Sequence, residues 1–549
     1  MKASKRISTI SALLLAVALA ACGGGGQQNT GGAANLMVQT AQGTVVGVQK
    51  DGVVSYLGMP YAQAPVGALR WMPPQAPASR TGTLTAASYG NACPQTTVQN
   101  DIPASSMAED CLFINVQEPS SVSSSSKLPV VVYVHGGAFT IGSGAQVDGS
   151  TIATAGNIVF VSFNYRLGAL GYLANAALQA SNGDGSLGNF AVMDQQAALQ
   201  WVQNNIAAFG GDPNNVTVWG LSAGATSTFT LLESPQSKGL FSKAVLQSGG
   251  GGAYSNLTPV NAITQGNTLT QAVGCSDPAS VVACLRGKSA NDIVAAQTAG
   301  KWRPTVDGKI VTQVPSDAFA AGTFNRVPVM IGGVYDEGTL FVDPTMPASV
   351  YTEAIESLAP PGFDTTQIEA AYPLANYGVP AQGLARAMGD AMYGCGNSSR
   401  RDQISAWAPV FGWEFTDPTL SFPTFRPAFY LGTSHGTDAS YWFGPTDVAT
   451  SNPLPAMQAL GLQMKKYLVN FARFGDPNGD GSDQSLVRWP RYAGPGDRET
   501  IELTIPSISV SNTAFETVHK CNSLWGKGVF PPIYLVLCKR KARAARAAR

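Results

Sequence analysis

Charge is scarce in this sequence. Acidic and basic residues make up 12% of its 549 positions, and 34 of each sign cancel to a formal net charge of +0. That balance gives no field to draw in a nucleic acid or a polyanion, so no nucleic-acid partner and a substrate without strong charge are expected. Long apolar runs are missing too: no stretch reaches the roughly 18 consecutive apolar residues that a membrane-crossing helix needs. No unit of about 20–50 residues repeats, which argues against solenoids and propellers. Histidine is rare, with only His135, His435 and His519 available for imidazole chemistry. Glycine (60) and proline (35) are plentiful against 44% hydrophobic residues, the composition of a folded chain with many turns.

The N-terminal segment reads as a sorting signal. Lys2, Lys5 and Arg6 precede an apolar run of 12 residues, Ile10 to Ala21, too short to span a bilayer as a helix. Its end, Leu19-Ala20-Ala21-Cys22, resembles the bacterial lipobox, which implies lipidation of Cys22 and a place in the bacterial cell envelope, facing membrane through the lipid. The expected organisation is a signal peptide at 1–21, a Gly-rich tether at 22–36, one catalytic domain at 37–530 and a solvated basic tail at 531–549. Six of the last eleven residues, Lys539 to Arg549, are Lys or Arg. An exported chain sits where disulfides persist. Of eight cysteines, Cys93 with Cys111 and Cys275 with Cys284 are spaced to close short loops, and two of Cys395, Cys521 and Cys538 could pair.

Short continuous apolar runs at Leu128–Val134, Ile158–Phe163, Val216–Trp219, Ala244–Leu246 and Val327–Ile331 predict strands buried on both faces. They alternate with helical patterns, the clearest being Phe190–Ile206, which stops before Phe209-Gly210-Gly211-Asp212-Pro213. Alternation of this kind predicts an α/β class with a mostly parallel sheet.

Gly220-Leu221-Ser222-Ala223-Gly224 follows one of these strands and precedes a helical stretch, Ala225 to Leu232. That is the setting of the G-x-S-x-G elbow, in which glycines two residues either side let the chain turn sharply enough to lift a serine hydroxyl above the sheet. Ser222 is therefore the candidate nucleophile. An attacking serine needs donors for the developing oxyanion, and His135-Gly136-Gly137-Ala138, after another strand, offers side-chain-free backbone. Gly136, Gly137 and Ala223 are the expected donors. The serine also needs a base, and around such an elbow the order is serine, acid, histidine, which removes His135. His435 lies in the loop Gly432-Thr433-Ser434-His435-Gly436, after a strand-like Ala428–Leu431; His519 lies near Cys521 in an expected C-terminal helix. Loops held by rigid elements favour catalytic groups, so His435 is preferred. The acid falls in Gly333-Val334-Tyr335-Asp336-Glu337-Gly338, where the sequence alone does not separate Asp336 from Glu337.

Many separate segments, in one order, make the chain resemble the type-B carboxylesterases, the family of cholinesterases and bacterial carboxylesterases. They include Glu109-Asp110-Cys111-Leu112-Phe113-Ile114-Asn115, Asn164-Tyr165-Arg166-Leu167-Gly168, Gln247-Ser248-Gly249-Gly250 and Phe471-Ala472-Arg473-Phe474-Gly475-Asp476-Pro477-Asn478. The resemblance implies an α/β-hydrolase fold and a serine carboxylic-ester hydrolase that works through an acyl-enzyme on neutral, moderately apolar small-molecule esters without a cofactor. It also implies Glu337 as the acid, His435 as the base, and disulfides Cys93–Cys111, Cys275–Cys284 and Cys395–Cys521. Cys538 lies beyond the family's end. The same machinery could serve amides or carbamates, and neuroligins keep the fold as adhesion domains without the nucleophile.

Two features depart from richer readings. Cholinesterases carry their choline-binding tryptophan within the first disulfide loop, whereas the 17 residues between Cys93 and Cys111 include no aromatic, so a cation–π cage for choline is not expected there. Asp476, Asn478, Asp480 and Gly481 mimic the start of an EF-hand, but Val487 stands where the bidentate glutamate belongs, and no metal site is expected.

Overall fold

The computed structural model describes residues 36–527 apart from 97–105, 251–255, 298–301, 360–362, 420–428, 445–454 and 513. The leader, the tether with Cys22, and the basic tail with Cys538 lie outside the described residues. Among those described, no helix is long and apolar enough to cross a membrane.

Eleven strands form the main sheet: β1 (Val48–Lys50), β2 (Val53–Pro60), β3 (Phe113–Pro119), β4 (Leu128–Val134), β5 (Val159–Phe163), β6 (Gly211–Leu221), β7 (Lys243–Gln247), β8 (Val329–Val334), β9 (Val410–Phe415), β10 (Thr500–Leu503) and β11 (Ser509–Ser511). Their spatial order is β11-β10-β9-β8-β7-β6-β4-β5-β3-β2-β1. Seven neighbouring strands, β4 through β10, run parallel, and the edges are antiparallel. A small sheet of Met37–Thr40, Gly43–Val46 and Leu84–Thr85 stands apart.

The apolar runs form central strands because both faces are covered. Along β4, Val130, Val132 and Val134 enter one core with Leu199, Val202 and Leu231, while Val131 and Tyr133 enter another with Met464, Leu468 and Phe471. Each such side chain, fully buried, contributes about 1.5–3 kcal/mol, and the two faces together fix the register. The helices α1 (Phe190–Asn205) and α2 (Ala223–Glu233) carry the first face, and α3 (Pro455–Phe474) carries the second.

Element boundaries differ from expectation where side chains mislead. β8 begins two residues late and continues through Gly332 and Gly333 to Val334. The strand expected at Ala428–Leu431 is not formed over the described Phe429–Leu431; Phe429 and Leu431 instead join the buried cluster that contains Met388 and Trp525. The C-terminal helix, Ala514–Val518, ends just before His519. All three disulfides expected from the resemblance are present, with Cα–Cα distances of 4.9 Å (Cys93–Cys111), 5.6 Å (Cys275–Cys284) and 5.1 Å (Cys395–Cys521).

Candidate active site

The parallel strands deliver the candidate residues to one edge of the sheet. β4 runs into His135 and Gly136, β6 into Ser222, β7 into Ser248, and β8 into the turn bearing Glu337. In open α/β sheets this carboxyl edge is where ligands bind.

Ser222 adopts φ 60° and ψ −122°, a strained conformation for a residue with a side chain, and α2 starts at the next residue. The flanking glycines are steric necessities. A Cβ on Gly220 would lie 2.1 Å from the carbonyl oxygen of Gly224, and one on Gly224 would lie 2.0 Å from that of Val134. Opposite the elbow, Gly137 has φ 116°, and a Cβ there would lie 2.2 Å from the Ile141 carbonyl oxygen. Among the described residues, the N–H groups of Gly136, Gly137 and Ala223 donate to no protein acceptor. Buried or half-buried amides without partners are rare in folded proteins, and Gly136 passes close to the elbow: a Cβ there would lie 3.1 Å from that of Ser222.

The two adjacent carboxylates separate cleanly. Asp336 turns toward Thr433, accepting from its N–H at 3.0 Å and its hydroxyl at 3.1 Å, and a β-bridge joins Asp336 to Ser434. Asp336 therefore fastens the loop that carries His435. Glu337 meets the ring itself: its Oε2 contacts His435 Nδ1, and its Oε1 accepts from the Val334 N–H at 3.0 Å. With Nδ1 engaged by the carboxylate, Nε2 is the ring nitrogen left open. Nε2 is buried and has no hydrogen-bond partner among the described residues, so no hydrogen bond joins it to Ser222. In unliganded sites such bonds are often long and tighten when substrate binds.

Three further groups surround the imidazole that sequence reading did not single out. Phe341 packs its edge at 4.8 Å between ring centroids, Tyr393 lies at 5.4 Å, and the two aromatics stack on each other at 5.9 Å. Asp438, three residues past His435, accepts from Trp442 Nε1 at 3.3 Å, and burial pushes its carboxyl up to about 6. Spacing from the histidine was the only signal that pointed to Asp438.

The other two histidines have different surroundings. His135 is fully buried, stacked on Tyr165 at 4.3 Å, and burial holds its pKa down at about 4. His519 lies between two carboxylates, Asp390 at 2.6 Å from Nδ1 and Glu414 at 2.5 Å from Nε2. The calcium-like turn spends its carboxylates locally: Asp476 Oδ1 accepts from the backbone and side-chain N–H groups of Asn478 at 2.8 and 2.7 Å, and Asp480 accepts from the Ser482 N–H at 3.0 Å.

Comparison with known proteins agrees with this architecture. Residues 34–521 match the family described as "Carboxylesterase family". The fumonisin B1 esterase of Sphingopyxis macrogoltabida is 35% identical over 496 residues, covering 86% of this chain and 87% of that protein. Secreted lipase 1 of Botryotinia fuckeliana (strain B05.10) is 30% identical over 538 residues, covering 84% and 88%. A solved thermophilic PNB esterase superposes with a TM-score of 0.76 at 30% identity, over 88% of this chain and 99% of that one. The family match takes in every strand of the main sheet, and the chain belongs to the carboxylesterase family, as a carboxylic ester hydrolase of the α/β-hydrolase fold.

Proposed function

We propose that Ser222, His435 and Glu337 carry out ester hydrolysis, with Gly136, Gly137 and Ala223 as the oxyanion donors. The observation that carries this reading is the strained Ser222 elbow set among three N–H groups that have no protein acceptor. Ser222 Oγ attacks the ester carbonyl as its proton passes to His435 Nε2, and the tetrahedral oxyanion takes up the three amide hydrogens. Collapse expels the alcohol, which leaves with the proton from Nε2. Water then attacks the acyl-enzyme by the same route and releases the acid. Glu337 keeps the Nδ1–H in place and stabilises the imidazolium. The aromatic pair Phe341 and Tyr393 beside the ring favours neutral, moderately apolar esters. Ser222→Ala is expected to abolish turnover and fluorophosphonate labelling while leaving the Tm nearly unchanged. Labelling that persists in the variant would move the nucleophile elsewhere.

The protein is further proposed to be exported and tethered to a bacterial envelope membrane through lipid on Cys22, with the catalytic domain at 37–530. The short apolar run before Cys22, three disulfides and a relative named as a secreted lipase support this reading. Cells fed labelled palmitate should mark the wild type and not Cys22→Ala; an unlabelled wild type rejects the anchor.

A further inference from the structure

The loop after β4, which carries Gly136 and Gly137, holds a conformation that its own residues do not favour. Its φ angles are 116° at Gly137, 52° at Ala138, 63° at Phe139 and 111° at Gly142. Ala138 and Phe139 have side chains, and positive φ in such residues persists only where the surroundings over-determine it. Within the loop, the N–H groups of Thr140 and Ile141 both donate to the Gly137 carbonyl at 3.0 Å. The Gly168 N–H donates to the Phe139 carbonyl at 2.7 Å. Gly142, where the loop returns, has no backbone partner of this kind among the described residues.

A side chain supplies what Gly142 lacks. Gln95 is fully buried; its Oε1 accepts from the Gly142 N–H at 2.8 Å, and its Nε2 donates to the carbonyls of Gly142 at 2.8 Å and Cys93 at 3.1 Å. The Gln95 N–H donates in turn to the Ser106 carbonyl at 2.8 Å, within the loop that Cys93–Cys111 closes. Asn164 repeats the arrangement two residues on. Its Oδ1 accepts from the Gly144 N–H at 2.7 Å, and its Nδ2 donates to the carbonyls of Cys111 at 3.0 Å and Asn91 at 2.8 Å.

Gly142 reaches the oxyanion donors through one peptide plane. In a trans peptide the carbonyl and the following N–H point opposite ways, so whatever fixes the Gly136 carbonyl also aims the Gly137 N–H. His135 Nδ1 donates to that carbonyl at 2.9 Å. Gly142 packs against both partners: a Cβ there would lie 2.4 Å from the Gly136 carbonyl oxygen and 2.5 Å from His135 Nδ1. The preceding plane is fixed in the same way, since Tyr165 Oη donates to the His135 carbonyl at 2.8 Å and thereby aims the Gly136 N–H.

We propose that Gln95 is a positioning residue for ester hydrolysis: by clamping both backbone groups of Gly142, its carboxamide holds the Gly136–Gly137 peptide with the Gly137 N–H aimed at the developing oxyanion. The inference rests on the oxyanion-hole reading above. It gives the Cys93–Cys111 loop, where no choline cage is expected, a part in stabilising the transition state. A clamp of this kind acts on the charge that develops and not on the resting ester, so its loss must appear in kcat and not in KM.

The test combines hydrolysis of a para-nitrophenyl ester with inhibition by two ketones of the same chain length, on the full chain. A trifluoromethyl ketone adds to Ser222 as a hemiketal whose oxyanion occupies the hole, whereas the plain methyl ketone binds as an unreacted carbonyl. In Gln95→Met, kcat per fluorophosphonate-titrated site should fall about 10–100-fold with KM changed by less than about twofold. The Ki of the trifluoromethyl ketone should rise by the same factor as kcat falls, and that of the methyl ketone should stay put. A Gln95→Met enzyme that keeps the wild-type kcat per titrated site, whatever happens to its Tm, reduces Gln95 to a structural role. A fall in kcat with an unmoved trifluoromethyl ketone Ki also overturns the proposal. Should that variant not fold, Gln95→Asn, one methylene too short to span both groups of Gly142, decides by the same two measurements. The wild type separates this inference from the reading beneath it. Equal Ki values for the two ketones there reject the oxyanion hole itself, whereas a wild-type preference that persists in the Gln95 variants rejects the clamp alone.

Discussion

His435 and His519 are both buried and both pressed against carboxylates, yet they are built for opposite ends. His435 is held from one side by Glu337, and its far nitrogen is left open. His519 is held from both sides, by Asp390 and Glu414, with Arg386 at 3.4 Å from Nδ1. A ring with one free nitrogen can take a proton and give it back. A ring saturated by two anions is fixed in its charged form: burial alone would lower its pKa, but Glu414 and Asp390 carry it up to about 9. The difference shows that proximity to an acid does not make a histidine a base. His435 joins a carboxylate on one nitrogen to an unoccupied second nitrogen, which His519 lacks.

Exchanging each ring for a neutral amide should break the comparison most visibly at His435. His435→Gln removes the proton acceptor, and kcat/KM should fall by about 10⁴-fold or more with little change in Tm. An activity loss of less than tenfold would place the base elsewhere.

His519→Gln should do the reverse. It leaves Asp390 and Glu414 facing a neutral side chain, and breaking a buried pair of this sort costs roughly 3–5 kcal/mol. Denaturant unfolding should show that loss, while the refolded or still folded fraction keeps kcat within a few-fold of the wild type. A stable His519→Gln with greatly reduced kcat would bring His519 into the catalytic machinery.

The sequence order around the elbow and the position of His435 in a loop pointed to the ring that meets Glu337, but the different setting of His519 was not legible. Its partners lie 129 and 105 positions away, and nothing local announces them. Asp336 and Glu337 were likewise inseparable as neighbours, because what divides them is a rotation of the chain at a 3₁₀ turn that sends one carboxylate to Thr433 and the other to the imidazole. The late end of β8 has a similar origin. Apolar patterning stops at Ile331, yet Gly332 and Gly333 stay in the sheet because larger neighbours need their space: a Cβ on Gly332 would lie 2.2 Å from the Trp413 ring, and one on Gly333 2.3 Å from Glu337 Oε1. The strands buried on both faces were legible because a continuous apolar run has few other stable uses.

The smallest effect concerns pH and sharpens the contrast without touching the active site. His519 has a folded pKa raised to about 9 from an ordinary 6.5, so below 6.5 the ring is protonated folded or unfolded and its pairing contributes in full. Between 6.5 and 9 the unfolded chain releases a proton that the native state keeps, and stability falls as pH rises through that window. His135 has the opposite sign. Burial holds it near 4, so the unfolded chain binds a proton first and stability falls as pH drops from 6.5 toward 4. Other groups titrate at both ends, and the variant isolates the term: the wild-type denaturation midpoint should decline from pH 6.5 to 9 more steeply than that of His519→Gln. Parallel curves would mean that His519 is not held charged between its two carboxylates. The open nitrogen of His435 would then no longer distinguish the two rings.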